Sequence, residues 1–198
     1  MDASLFLATD DFKHAERKLA SFGSVTVSTF RFSTGVEAVR INNGVGEVLL
    51  LPFQGQQIWD ASFYGRRLTM KSMFSEPVAN VPFLQTYGGF LLHCGFTAMG
   101  GPTGSDTHPL HGELPNARYQ EARIVAGSDD LGEYVGLTGV YRHTEAFSFN
   151  YAARPELRVY EGSGRMRVTF EVRNEKGTPM EYMYLCHANF RPWDGGEL

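Results

Sequence analysis

Arg165-Met166-Arg167-Val168-Thr169-Phe170-Glu171-Val172-Arg173 alternates between polar or charged and apolar side chains. Successive side chains of a strand point to opposite faces, so this period of two describes a strand with one wet and one dry face. Asn174-Glu-Lys-Gly177 then turns the chain. The return run, Met180 to Phe190, keeps its even positions compatible with a core: Met180, Tyr182, Tyr184, Cys186, Ala188 and Phe190. Its odd positions run from Glu181 through Met183 and Leu185 to His187, Asn189 and Arg191. If extended, this strand has one apolar face throughout. The other face turns polar at the C-terminal end, as expected of a strand that lines a pocket mouth. The hairpin argues for an antiparallel β protein and puts polar chemistry at one end of its last strand.

Working outward, the same signals recur. Val25, Val27 and Thr29 begin a strand-like region broken near Gly35, and Val36 to Ile41 reads as its partner. Asn42-Asn-Gly44 is a turn signal, Glu47 to Leu51 and Gln57 to Tyr64 are further strands, and strands resume at about 117–125, 133–142 and 148–152. Twenty-two glycines and nine prolines suit an all-β chain with many turns. One helix is expected, over residues 9–22. Thr9 or Asp10 would cap it, Gly23 would close it, and Phe12, Ala15, Leu19 and Phe22 form a 3–4 stripe. The 198 residues fit a single domain with a real core, and no repeat or low-complexity linker divides them.

Composition narrows the partners. The net charge is -4 with Lys and Arg scattered, which argues against nucleic acid. No apolar run approaches the roughly 20 residues of a membrane span. The N-terminal stretch turns acidic at Asp10-Asp11 without a basic segment before it, so a secretory signal is not expected and a cytoplasmic location is. The two cysteines, Cys94 and Cys186, then read as reduced thiols.

Residues 75–116 are irregular and rich in Gly and Pro, and a segment this long inside a compact domain is often functional. It contains Asp106-Thr-His-Pro-Leu-His-Gly-Glu113, with two imidazoles beside two carboxylates. His108 and His111 read as ordinary loop histidines or as proton-transfer groups near neutral pH. With Glu113 and His187 they would also make an N/O ligand set, but the spacing fits no strong metal pattern, so no metal is expected. His187 alone reads as a hydrogen-bonded core histidine, and Asn189 and Arg191 on the same face favour a functional role. In Gly88-Gly-Phe-Leu-Leu-His-Cys-Gly95, Cys94 is a candidate nucleophile beside His93, and more economically a small buried hydrophobe. Arg66-Arg67 reads as an exposed strand end, with substrate contact as the lesser alternative.

Three blocks, Tyr87-Gly-Gly-Phe-Leu-Leu-His-Cys-Gly95, His108-Pro-Leu-His-Gly-Glu113 and Tyr184-Leu-Cys-His-Ala-Asn-Phe190, resemble the galactose mutarotase-like (aldose 1-epimerase) superfamily. More narrowly, they resemble a bacterial branch known only as a domain of unknown function. The resemblance covers roughly residues 23–198. It implies a large antiparallel β-sandwich that binds a small sugar in a cleft on one sheet, without a cofactor. It implies a general acid at His187, which protonates the ring oxygen, and a sugar-orienting His111. A carboxylate removes the anomeric proton, so the ring opens and recloses as the other anomer. His93, His108, Glu113, Asn189 and Arg191 are the expected substrate-binding residues.

The chain departs from the family pattern in three places. Glu113 stands where the family usually has a second glycine. His93 stands where better-studied members have Asn-Arg. Family members are also longer, and their catalytic glutamate comes from the C-terminal part, whereas this sequence ends at Asp194-Gly-Gly-Glu-Leu198. The expectation is therefore a C-terminally incomplete sandwich. Glu113 and Asp106 remain to replace the base, and the uncovered edges favour a homodimer. A non-catalytic sugar-binding protein is the alternative from another class, and a metal-dependent isomerase is a third.

Overall fold

The structure, a computed structural model, describes residues 3–195; Met1, Asp2 and the closing Gly196-Glu-Leu198 lie outside the described residues. Among the described residues thirteen strands form two antiparallel sheets. The five-stranded sheet contains β1 (Ala3–Phe6), β9 (Glu121–Asp129), β10 (Gly132–Glu145), β11 (Phe149–Tyr160) and β12 (Met166–Asn174), in that spatial order. The eight-stranded sheet runs from β13 (Met183–Ala188) through β8 (Leu91–Phe96), β6 (Ile58–Phe63), β5 (Gly46–Leu50), β4 (Glu37–Asn42) and β3 (Val25–Arg31) to β2 (Arg17–Phe22); β7 (Arg66–Arg67) pairs with β6. The hairpin that decided the fold class is thus split. β12 closes one sheet beside β11, and β13 crosses to the edge of the other beside β8.

The expected helix over residues 9–22 is not formed. A single 3-10 turn occupies Thr9–Asp11, and Arg17–Phe22 is strand β2, paired with β3. The reason is a β-bulge. The register shifts between Lys18 and Ala20, leaving Leu19 as an extra residue. The bulge lets Leu19 and Phe22, three residues apart, both pack against the inter-sheet core. The 3–4 apolar spacing that mimics a helix is the signature of a kinked strand.

The main core lies between the sheets. Val25, Val27, Val39, Ile41, Val48 and Leu50 from one sheet meet Ile124, Val135, Leu137, Leu157 and Val159 from the other. The large sheet is also apolar on its second, outer face. Val36, Ala38, Leu49, Leu51 and Trp59 form one outer cluster with Phe74, and Leu92 and Cys94 form another with Phe83, Tyr87, Met99 and Leu110. Much of the irregular stretch 69–120 supplies the cover for this face. Strands with two dry faces read as continuous apolar runs rather than alternations, which fits Glu47 to Leu51. Among the described residues no helix is long and apolar enough to cross a membrane.

At the β12/β13 side the two sheets end together. The apolar residues of β12 there are only half-buried, and Met183 and Leu185 of β13 are exposed. Phe170 and Tyr184 bridge the sheets, with rings stacked at a centroid distance of 4.5 Å.

Candidate functional site

Strand pairing fixes which way each residue of β13 points. Cys186 lies opposite His93 and His187 opposite Leu92. Residues directly opposite in an antiparallel pair share a face, so His187 takes the outer face of the large sheet with Leu92. His93 and Cys186 take the inner face. The polar end of β13 that the alternation predicts is therefore turned toward the covering loops.

One of those loops brings His111 to the same place. The imidazole centroids of His111 and His187 are 6.0 Å apart. Phe83 packs edge-on against His111 at 5.4 Å and Tyr87 edge-on against His187 at 5.8 Å, with Phe83 and Tyr87 in contact at 5.1 Å. Two imidazoles thus face two aromatic rings. Tyr87 donates a 2.7 Å hydrogen bond to Asn189 Oδ1, and Asn189 Nδ2 donates to the Gly89 carbonyl at 2.9 Å. The Asn189 side chain is committed to clamping the Tyr87 loop onto the end of β13.

His111 is held by its backbone. Its N–H donates to the Gly100 carbonyl at 2.9 Å, and its own carbonyl accepts from Gly95 at 2.7 Å. It adopts φ +60°, the left-handed region that non-glycine residues visit rarely. Gly112 follows at φ +73°, where a Cβ would come within 2.5 Å of the Ala98 and Gly95 carbonyl oxygens. Only glycine lets this loop sit so close to the end of β8. Strained backbone next to a polar side chain motivates a functional reading.

The other expected residues are placed elsewhere. His93 is 2% exposed, lies in the inter-sheet layer, stacks with Phe170 and Tyr184, and shares a 2.8 Å hydrogen bond between Nδ1 and the Tyr184 hydroxyl. Burial pulls its pKa down to about 4. This corrects the expectation that His93 contacts a ligand beside His187: it lies on the opposite face of β8. Glu113 turns away as well. Its carboxylate accepts from the Thr97 N–H at 3.1 Å, the Thr97 hydroxyl at 2.7 Å and the Tyr151 phenol. Tyr151 is buried and its neighbour Tyr141 half-buried beside this carboxylate; desolvation and the Glu113 charge push the Tyr141 phenol up to about 12. His108 keeps Nδ1 2.8 Å from the Pro109 carbonyl, with Nε2 4.0 Å from Asp106. Arg191 is exposed and lines a separate groove with Arg66 and Arg67. Burial pushes the Cys94 thiol up to about 12, which removes it as a neutral-pH nucleophile.

Among the described residues no group of three or more His, Cys, Asp or Glu is arranged to hold a metal. Sequence reading gave no role to Phe83 and Tyr87. The available signal was the Gly88-Gly89 pair after Tyr87. A Cβ on Gly88 would lie 2.6 Å from the Trp59 ring, so the aromatic loop approaches the sheet closely there.

Comparison with known proteins agrees with this architecture. The chain superposes on a crystal structure described as a "putative aldose 1-epimerase" from Klebsiella pneumoniae with a TM-score of 0.79 and 16% sequence identity. The match covers 96% of this chain and 56% of that one, so the chain spans a little over half of that protein's length. At this identity the likeness establishes the fold, a mutarotase-like β-sandwich. None of the curated proteins matches the chain in sequence. Residues 33–192 match the family model described as Domain of unknown function (DUF4432), and the chain belongs to that family.

Proposed function

We propose that this chain binds a sugar against the outer face of its large sheet and takes part in anomer exchange of the aldose 1-epimerase type. In this reading His187 is the general acid and His111 orients the sugar. The observation that carries the proposal is the convergence of these two imidazoles, which are distant in sequence, at 6.0 Å beside two aromatic rings. An imidazole titrates near neutral pH, so it can give a proton to a ring oxygen and take it back after rotation about the opened carbon. Aromatic rings suit the apolar C–H faces of a pyranose. The structural likeness to the Klebsiella protein supports the fold on which the reading rests.

In the proposed cycle the His187 proton goes to the ring oxygen as the C1–O5 bond breaks, and a base takes the anomeric hydroxyl proton. The open chain turns about its C1–C2 bond, and both transfers reverse on closure. Glu113 is not that base, because its oxygens are engaged by Thr97 and Tyr151. This commitment favours a second reading, a sugar-binding protein without the exchange step. One experiment separates the two. Calorimetric binding of common aldoses is measured beside the rate of α/β exchange by NMR, in the parent and in His187→Ala. Binding with accelerated exchange lost in the variant supports the epimerase reading. Binding without acceleration supports the second. Absence of binding by every aldose tried defeats both.

A further inference from the structure

Away from the two histidines, a groove of about 480 Å³ runs between the segment 65–68 and the segment 190–194. Its volume is within the roughly 300–1,000 Å³ usual for small-molecule sites. The Arg191 N–H donates to the Leu68 carbonyl at 2.6 Å and ties the two walls together. Three guanidinium groups line the groove: Arg66, Arg67 and Arg191. They are not equivalent. Arg67 is neutralised by Asp60, with Nε 2.9 Å from Oδ1. Arg66 lies over the Trp193 ring at 4.2 Å, a contact that fixes its plane without neutralising its charge. Arg66 and Arg191 enter no ion pair among the described residues, and Asp194 is the single carboxylate among the residues that line the groove.

We propose that this groove binds an oxyanion, the phosphate group of a phosphorylated sugar, through Arg66 and Arg191. The planar fork of a guanidinium matches the oxygens of a phosphate with paired N–H donors, and its weak hydration lowers the cost of contact. Stacking on Trp193 restrains one fork in advance. The groove's Arg191 is near His187 along the chain. Arg191 follows His187 by four residues, at most about 14 Å between Cα atoms, a span that an arginine side chain and a phosphate ester together bridge. The sugar part of the ligand rests on the reading given under Proposed function; the anion site does not.

Trp193 is 62% exposed and stacked on Arg66, while Trp59 is buried, so fluorescence change on titration reports on the groove. Titrations with inorganic phosphate, a neutral hexose and the corresponding hexose 6-phosphate, checked by calorimetry, test the proposal. The expected result is that phosphate binds, that the hexose phosphate binds more tightly than the neutral hexose, and that added salt weakens both anions. Arg191→Ala and Arg66→Ala are each expected to weaken anion binding roughly tenfold or more. Arg191→Lys retains part of it, and binding of the neutral hexose is unchanged. Both positions are exposed, and unchanged circular dichroism confirms that the variants fold. Neutral hexose binding with no preference for the phosphate ester, or anion binding indifferent to both arginines, overturns the groove and leaves the sugar reading standing. Arginine-dependent phosphate binding without any hexose binding does the reverse.

Discussion

The Nδ1 atoms of His111 and His187 are both buried, and neither has a hydrogen-bond partner among the described residues. A buried imidazole nitrogen left unpaired costs free energy, so native structures satisfy nearly all of them.

Replacing either histidine should separate chemistry from binding. A positioned general acid contributes about 10²–10⁴ in rate. His187→Ala is expected to lower α/β exchange by about that factor while calorimetric affinity for the sugar changes little. His111→Ala is expected to weaken affinity first. Equal small effects of both variants on both quantities would contradict the assigned roles.

Gly112 is expected to be intolerant. Gly112→Ala puts a methyl group about 2.5 Å from two carbonyl oxygens at φ +73°. The cost should exceed about 2 kcal/mol, in line with strained-backbone substitutions. Chemical denaturation measures it, and the same variant should weaken sugar binding by displacing His111. A variant as stable as the parent would show that the loop does not pack as described.

His93 should make stability depend on pH. The unfolded imidazole titrates near 6.5, and the folded one at about 4. Between those values the unfolded chain holds a proton that the folded chain does not, so stability falls as pH drops through this window. The total is about 3 kcal/mol, lost toward pH 4 and fully present above the unfolded value. In His93→Leu this part of the slope should vanish, and neutral-pH stability should fall because the Tyr184 hydroxyl loses its hydrogen bond to the imidazole. Denaturation curves at pH 5 and pH 7 for both proteins give the comparison; identical slopes would place the imidazole in water.

Glu113 is expected to matter for stability rather than for ligand. Glu113→Ala leaves the Thr97 N–H and the Tyr151 phenol without their acceptor, at a cost of about 2 kcal/mol or more. Sugar affinity should change only as far as the His111 loop loosens. Near-normal stability with abolished sugar binding would mean that the carboxylate faces the ligand after all.

The alternation in β12, the turn at Asn174–Gly177 and the polar end of β13 were legible because period-two patterning is a local consequence of strand geometry; that the two strands part into different sheets instead of pairing as a hairpin was not. The double role of residues 9–22 was not. Leu19 and Phe22 have a helical spacing, and only pairing with β3, through a bulge at Leu19, makes that spacing a strand. Irregular segments carry no period, so the cover over the outer sheet face could be located but not oriented.

The site divides in the same way. Sequence alone named His111 and His187 as candidates and expected Asn189 and Arg191 on the same alternating face as His187, whereas Arg191 lies beyond β13 and lines a separate groove. It could not tell that His93, opposite Cys186, turns inward, nor that Glu113 bends to Tyr151 and Asn189 to Tyr87, nor that Phe83 and Tyr87 wall the imidazoles. Alternation tells which residues share a face of one strand. Which face meets the core, and which groups meet across loops, depends on register and packing between segments far apart in the chain.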